Sequence, residues 1–208
     1  PFEVLEDPKE LASYLGWSEP VYRDMLAVRS GKLSESDFYA RYQWQKAVMV
    51  LDMAGFTRST IERGELPALL RIVEMQQVCL PVIRDGGADL IRTFADDVVA
   101  LFDDPYDAMR VAFELHARTA HFVEDQEGFG ARCSIGIGYG KVLRIGPNLA
   151  QGDEMNRASK LGEDIARAEE TLVTPNVVRA LEGCKEFSFC APEVPGELFP
   201  YFHAAEAG

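Results

Sequence analysis

From Lys46 onward, short apolar runs joined by turns alternate with longer helix-like segments, and this alternation limits the possible folds more than any other feature of the chain. The runs predict strands at 47–53, 88–94, 97–102, 131–138, 141–145 and 170–173. The longer segments predict helices at 60–83, 105–124, 154–166 and 175–181, followed by a Pro-rich tail. Strand pairs beside long helices are typical of an α+β sandwich, and we expect a mixed or antiparallel sheet covered by helices on one face.

Residues 1–45 are polar and helix-prone, with small apolar clusters at helical spacing. Ser34 is a candidate N-cap for a further short helix, because Asp37 follows three residues later. The sequence therefore predicts a helical N-terminal arm over 1–45, suited to packing or dimer contact, and a separate domain over 46–208.

Composition and charge indicate a soluble domain that does not bind nucleic acid. The chain has 208 residues and 47% hydrophobic content, enough for one domain with a sizeable core. The net charge of -13 argues against a surface that binds nucleic acid, and a small phosphorylated ligand would need divalent metal ions to screen this charge. No apolar run approaches the roughly 20 residues of a membrane span, and no signal peptide pattern opens the chain. We expect a soluble protein.

The four cysteines, Cys79, Cys133, Cys184 and Cys190, form no CxxC pair and no metal-ligand spacing. Three of them lie among apolar residues, as buried free thiols do. A reducing, cytoplasmic location follows from this interpretation.

Two aspartates follow or interrupt strand-like runs. Asp52 ends the apolar run that begins at Val48, and a glycine-containing turn follows it, which can present backbone N–H groups to phosphate. Asp96 and Asp97 lie at the tip of a predicted hairpin. Taken singly, each has an ordinary explanation as a turn or cap residue, but two strand-end aspartates can share metal ions.

Two further segments complete a set of four. The run from Cys133 to Gly140 is typical of a buried strand closed by glycines, and the segment from Gly152 to Leu161 opens a helix. Asn156 and Lys160 are four residues apart, so they share one helical face. Taken alone, Lys160 is equally explained by solvated ion pairs with Glu163 and Asp164.

In this order, the four segments resemble the catalytic core of the class III nucleotide cyclases, the adenylate and guanylate cyclase catalytic domains, and the resemblance implies a ferredoxin-like α+β sandwich. The resemblance implies two divalent metal ions, Mg²⁺ or Mn²⁺, held by Asp52 and Asp96 with the Met53 carbonyl as an added ligand. Such ions would neutralise the triphosphate, lower the pKa of the ribose 3′-hydroxyl and stabilise the pyrophosphate leaving group. Phosphate would be bound by the backbone amides of Gly55, Phe56 and Thr57.

The resemblance also implies roles for the fourth segment. Asn156 would contact the ribose, and Lys160 stands where the family usually has an arginine that stabilises the charge on the transferred phosphoryl group. Lysine keeps the charge but loses the bidentate geometry. The family's sites lie between two subunits, so a head-to-tail homodimer is implied, one subunit giving the aspartates and the other the asparagine and the basic residue.

The positions that read the base depart from the family pattern. Arg92 replaces a lysine of the family. Leu149 replaces an acidic or hydroxyl residue that accepts a hydrogen bond from the adenine amine. A shift of one residue in the loop would place Asn148 in this position instead. With Leu149, a base that presents carbonyl oxygens is favoured, because an unpaired buried donor costs about 1 to 3 kcal/mol. Uracil meets this condition, and guanine is the alternative. The C-terminal phosphate-binding lysine of some family members is also missing at 194–196, and no spacing supports Lys141 or Lys185 as its replacement.

The leading interpretation is a cyclase that converts a nucleoside triphosphate to a 3′,5′-cyclic nucleotide and pyrophosphate. The base pocket favours UTP and a cUMP product, in resemblance to the uridylate and cytidylate cyclases of antiphage Pycsar systems. The alternatives are an adenylate cyclase that makes cAMP, and a degenerate cyclase-homology domain that binds nucleotide or dimerises without chemistry. An unrelated metal-phosphate enzyme would have no reason to carry the fourth segment.

Overall fold

The computed structural model describes residues 4–54, 60–62, 64–120, 132–193 and 198–208. Three helices come first, α1 (Pro8–Leu15), α2 (Glu19–Arg29) and α3 (Glu35–Tyr42). The central elements are β1 (Gln43–Met53), α4 (Glu65–Asp85), β2 (Leu90–Phe94), β3 (Asp97–Phe102), α5 (Pro105–Thr119) and β4 (Cys133–Gly146). The remaining elements are β5 (Leu149–Gln151), α6 (Asp153–Ser159), a π-helical segment (Lys160–Ile165), β6 (Thr171–Val173), α7 (Pro175–Ala180), β7 (Phe187–Cys190) and β8 (Phe202–Glu206).

The strands form one sheet in the order β2-β3-β1-β4-β6-β8-β7, and β5 pairs with the far part of β4. The pairing of β4 with β6 is parallel, and the other pairings are antiparallel. The predicted α+β fold with a mixed sheet is therefore confirmed.

Strand β1 lies at the centre of the sheet and is covered on both faces. On one face, Met49 and Leu51 join a large core cluster with α4 and α5. On the other face, Val48 and Val50 pack with Met155 and Ala158 of α6. The expectation of helices on one face only was wrong, and the unbroken apolar run of β1 reflects burial on both sides.

Glycines allow α6 and the π-helical segment to approach β4 closely. A β-carbon at Gly138 would lie 2.4 Å from the Glu154 carbonyl oxygen, and one at Gly136 would lie 2.1 Å from that of Ala158. These contacts are with backbone atoms, so any side chain would push the helix away from the sheet. The alternating glycines of β4 therefore fix the depth of the helix that carries Asn156.

Several element predictions were wrong. The two strands predicted at 131–138 and 141–145 form the single strand β4, which bends at an irregularity between Arg144 and Gly146. The helix predicted at 154–166 is divided, because its second half is π-helical. The tail contains β7 and β8, and the predicted helix 105–124 ends at Thr119, with 121–131 outside the described residues.

The N-terminal helices pack on the hairpin formed by β4 and β5. Val21 and Phe38 are buried against Ile145, with Leu149 packed at the edge of this cluster. The Ser18 amide donates a 2.7 Å hydrogen bond to the Ile145 carbonyl, which fixes the arm to the hairpin. Ser34 caps α3 by accepting from the Asp37 amide, which confirms the predicted N-cap.

Helix α4 is the one described helix long and apolar enough to cross a membrane by length and composition. One side of it, including Ile72, Met75, Cys79 and Ile83, is buried in the core. Only 28% of its most apolar window is buried, so α4 packs on the core by one face and exposes the rest.

Candidate active site

The β2–β3 hairpin brings its tip against the end of β1. Asp52 lies near the end of β1, while Asp96 lies in the turn and Asp97 begins β3. One carboxylate oxygen from each of the three lies within 4.8 Å of the others, and all three residues are half-buried. The structure thus brings together the two predicted metal ligands, Asp52 and Asp96, and adds Asp97.

Crowding of like charges changes the protonation of this cluster. Burial, a hydrogen bond with Asp97 and the charge of Asp96 raise the pKa of Asp52 to about 7. Burial also raises the pKa of Asp97, with the Asp96 charge adding to the effect. Three carboxylates held this close are unfavourable unless a proton or a cation lies among them.

The donor set fits a hard divalent cation. Carboxylate oxygens are the ligands that Mg²⁺ and Mn²⁺ prefer, and the described cluster offers no sulfur or imidazole donor. Met53 follows Asp52 at the end of β1, opposite Cys133 in the sheet register. The predicted phosphate-binding residues Gly55, Phe56 and Thr57 lie outside the described residues.

Asn156 and Lys160 lie on one continuous helical path, at the end of α6 and the start of the π-helical segment. Asn156 is exposed, and the Lys160 ammonium forms a 2.8 Å ion pair with Asp164. Glu163, three residues beyond Lys160, lines one pocket with Asp97, so the π-helical segment lies near the carboxylate cluster of its own chain.

The two predicted base-reading residues lie in different surroundings. Arg92 lines a pocket of about 300 Å³ together with Phe94, Asp97 and Glu163. Leu149 packs instead against the apolar cluster between the arm and the hairpin. Within one protomer, Arg92 is therefore close to the carboxylate cluster, whereas Leu149 is held by the N-terminal helices.

Sequence reasoning missed two acidic residues, one beside the carboxylate cluster and one on the helix that carries Asn156. Glu163 shares the Arg92 pocket, and burial and the Asp97 charge raise its pKa. Glu154 belongs to α6 and is buried between this helix and β4, where its carboxylate accepts from the Tyr139 amide. The alternating glycines of β4 were a usable signal for Glu154, because they indicate that a helix lies directly on that strand.

A comparison of the sequence with protein-family models finds no match. Among curated proteins, an adenylate cyclase of Streptomyces coelicolor is 31% identical over 157 residues, which cover 74% of this chain and 39% of that protein. The chain thus spans well under half the length of this relative.

Among solved structures, the monomeric guanylyl cyclase domain of the RhoGC fusion protein from the fungus Blastocladiella emersonii has a TM-score of 0.67 at 13% identity. The alignment covers 80% of this chain and 98% of that domain. An adenylate/guanylate cyclase/hydrolase from Silicibacter pomeroyi has a TM-score of 0.65 at 24% identity, with coverage of 78% and 95%.

Proposed function

Because the chain has the fold of the adenylate and guanylate cyclase catalytic domains, we propose that it is a metal-dependent nucleotide cyclase. The reaction converts a nucleoside triphosphate to a 3′,5′-cyclic nucleotide and pyrophosphate. The observation that carries this proposal is the meeting of Asp52, near the end of β1, and Asp96, in the β2–β3 turn, in one cluster of carboxylates. Such a cluster suits a hard cation and a triphosphate in a chain with a net charge of -13.

Each residue of the site has a definite part in this function. Asp52 and Asp96 would hold two Mg²⁺ or Mn²⁺ ions, with the Met53 carbonyl as a further ligand. When bound, such ions supply charge neutralisation at the phosphates and activation of the 3′-hydroxyl. Gly55, Phe56 and Thr57 would donate amide hydrogen bonds to phosphate, while Asn156 would orient the ribose and Lys160 would face the charge that develops on the phosphoryl group.

The working unit would be a head-to-tail homodimer with two composite sites. This arrangement follows the class III cyclases that the chain resembles, and the exposed position of Asn156 on α6 is compatible with contact to a second chain. An exposed apolar stripe on α4 provides a surface for this contact, at positions spaced for one helical face: Leu66, Leu69, Leu70 and Val73. The exposed Phe94, at the end of β2 in the hairpin that carries the aspartates, extends the apolar surface near the site.

For the base, we propose a pyrimidine, with UTP as the preferred substrate and cUMP as the product. Leu149 offers no acceptor for a base amine, and its packing against the arm leaves it little freedom to move aside. Arg92 is a donor that suits a carbonyl oxygen of the base. A cUMP product would suit antiphage signalling in the cytoplasm, and the four free cysteines are compatible with a reducing location.

The test is incubation of the purified protein with Mn²⁺ and each of the four ribonucleoside triphosphates, followed by mass analysis of the products. We expect a cyclic nucleotide and pyrophosphate, with UTP giving the highest kcat/KM. Asp52→Asn and Asp96→Asn should remove the product while leaving the thermal unfolding midpoint near that of the wild type. A strong preference for ATP would reject the pyrimidine proposal and leave an adenylate cyclase.

A second candidate is a nucleotide-binding or dimerisation module without chemistry. The ion pair between Lys160 and Asp164 favours it, because a paired lysine is less available to a phosphoryl group. In that case the four triphosphates would bind and none would be converted.

A further inference from the structure

Asp96 and Asp97 are consecutive, yet both carboxylates face Asp52. In a regular strand, neighbouring side chains point to opposite faces of the sheet. Here one oxygen from each of the three aspartates lies within 4.8 Å of the others. The hairpin must therefore depart from regular strand geometry to bring both side chains to one side.

Ala95 supplies this departure. Its φ of 51° lies in the left-handed region, which a residue with a β-carbon rarely adopts. The Gln76 side chain, on α4, donates a hydrogen bond of 3.2 Å to the Ala95 carbonyl and holds the turn from outside. A strained turn that is held by a neighbouring helix is a typical feature of a functional site.

Asp97 also makes direct contact with the cluster. One of its carboxylate oxygens lies within 4.8 Å of an oxygen of Asp52 and of an oxygen of Asp96. Asp97 lines the pocket that contains Arg92 and Glu163, which places it between the metal ligands and that pocket.

From this geometry, we propose that Asp97 is a third carboxylate ligand of the divalent-metal site. This inference rests on the proposed function, because it concerns the same site. A third anionic oxygen would raise the affinity for Mg²⁺ or Mn²⁺ before nucleotide arrives, because hard cations bind more tightly as the count of anionic ligands grows.

The test is Mn²⁺ binding by the metal-free full chain without nucleotide, measured from the loss of the free Mn²⁺ signal in electron paramagnetic resonance. We expect Asp97→Asn to raise the Kd for Mn²⁺ by about tenfold or more, the size of effect seen when a supporting group of a metal site is lost. Asp107→Asn is the matched control, since Asp107 is an exposed aspartate on α5 and its loss removes the same charge. The control should bind Mn²⁺ like the wild type.

Thermal unfolding separates a ligand from a structural residue. Asparagine can still donate a hydrogen bond to Asp52 and relieves like-charge repulsion, so the metal-free Asp97→Asn protein should unfold at or above the wild-type temperature. The increase in unfolding temperature on adding Mn²⁺ should become smaller. Equal Mn²⁺ affinity in Asp97→Asn and wild type would overturn the inference, as would a lower unfolding temperature with unchanged affinity.

Failure of the proposed function gives a different result. If the protein is not a cyclase but Asp97 is a metal ligand, the wild type would bind Mn²⁺, Asp97→Asn would bind it weakly, and no triphosphate would be cyclised. Cyclic product from a wild type whose Mn²⁺ affinity does not depend on Asp97 would support the function and reject the third ligand.

Discussion

The carboxylate of Glu154 accepts a hydrogen bond of 2.5 Å from the Thr174 hydroxyl in the protein interior. The same carboxylate accepts from the Tyr139 amide at 2.9 Å, which satisfies a backbone donor of β4 that the sheet does not use. A β-carbon at Gly140 would lie 2.6 Å from Glu154 Cγ, so glycine leaves room for this side chain. Glu154 thus ties α6, and with it Asn156, to the sheet.

We expect Glu154→Ala to lower the free energy of unfolding by about 1 to 3 kcal/mol, since it leaves a buried backbone donor without a partner. Asp153→Ala is the matched control, because Asp153 is an exposed neighbour whose side chain pairs with Arg157. Its cost should not exceed about 1 kcal/mol. Urea unfolding measures both values, and equal costs would show that the buried hydrogen bonds do not hold the helix.

Lys160 should limit turnover in the proposed reaction, because its single ammonium lacks the forked geometry of a guanidinium and is paired with Asp164. We expect Lys160→Arg to raise kcat several-fold with little change in KM. Lys160→Ala should lower kcat by about 10² to 10³, as for the loss of one group that stabilises transition-state charge. Lys32→Arg makes the same change on the exposed arm and should have no effect; if Lys160→Ala also has none, Lys160 does not act on the reaction.

The α4 stripe should be required for dimer formation. We expect Leu69→Glu together with Leu70→Glu to give a monomer in sedimentation velocity, because two charges would be buried in an apolar contact. Leu198→Glu changes a still more exposed leucine outside α4 and should leave the dimer intact. A double variant that remains dimeric would place the contact elsewhere on the protein.

Much of the sheet could be predicted, because most of its strands are short apolar runs bounded by turn residues. The strand β3 was placed at 97–102, as observed, since a turn and an apolar run bound it. The strand β8 could not be found in this way, because its pairing with β6 and β7 depends on contacts distant in sequence. The burial of Lys46 could not be predicted for the same reason, because its ion-pair partners, Asp89 and Asp103, are distant in sequence.

The metal ligands were predicted from the resemblance of their segments to those of the class III cyclases. Taken singly, Asp52 and Asp96 would also fit as turn or cap residues, but the structure brings them together. Asp97 was predicted to lie at the hairpin tip but not to join the site, because side chains alternate along a strand and Asp97 would then point away from Asp96. The packing of Leu149 against the N-terminal helices was not predicted, because the contact joins segments far apart in the sequence.

The most direct test of a nucleotide cyclase with composite sites is the activity of mixed inactive subunits. Asp52→Ala and Asn156→Ala should each be inactive alone, because every site in either homodimer carries a defect. After subunit exchange, half of the dimers would pair the two variants and hold one intact site of two, so we expect about a quarter of wild-type activity. If fully exchanged mixtures remain inactive, then Asp52 and Asn156 do not act together across two chains, and the proposed site is wrong.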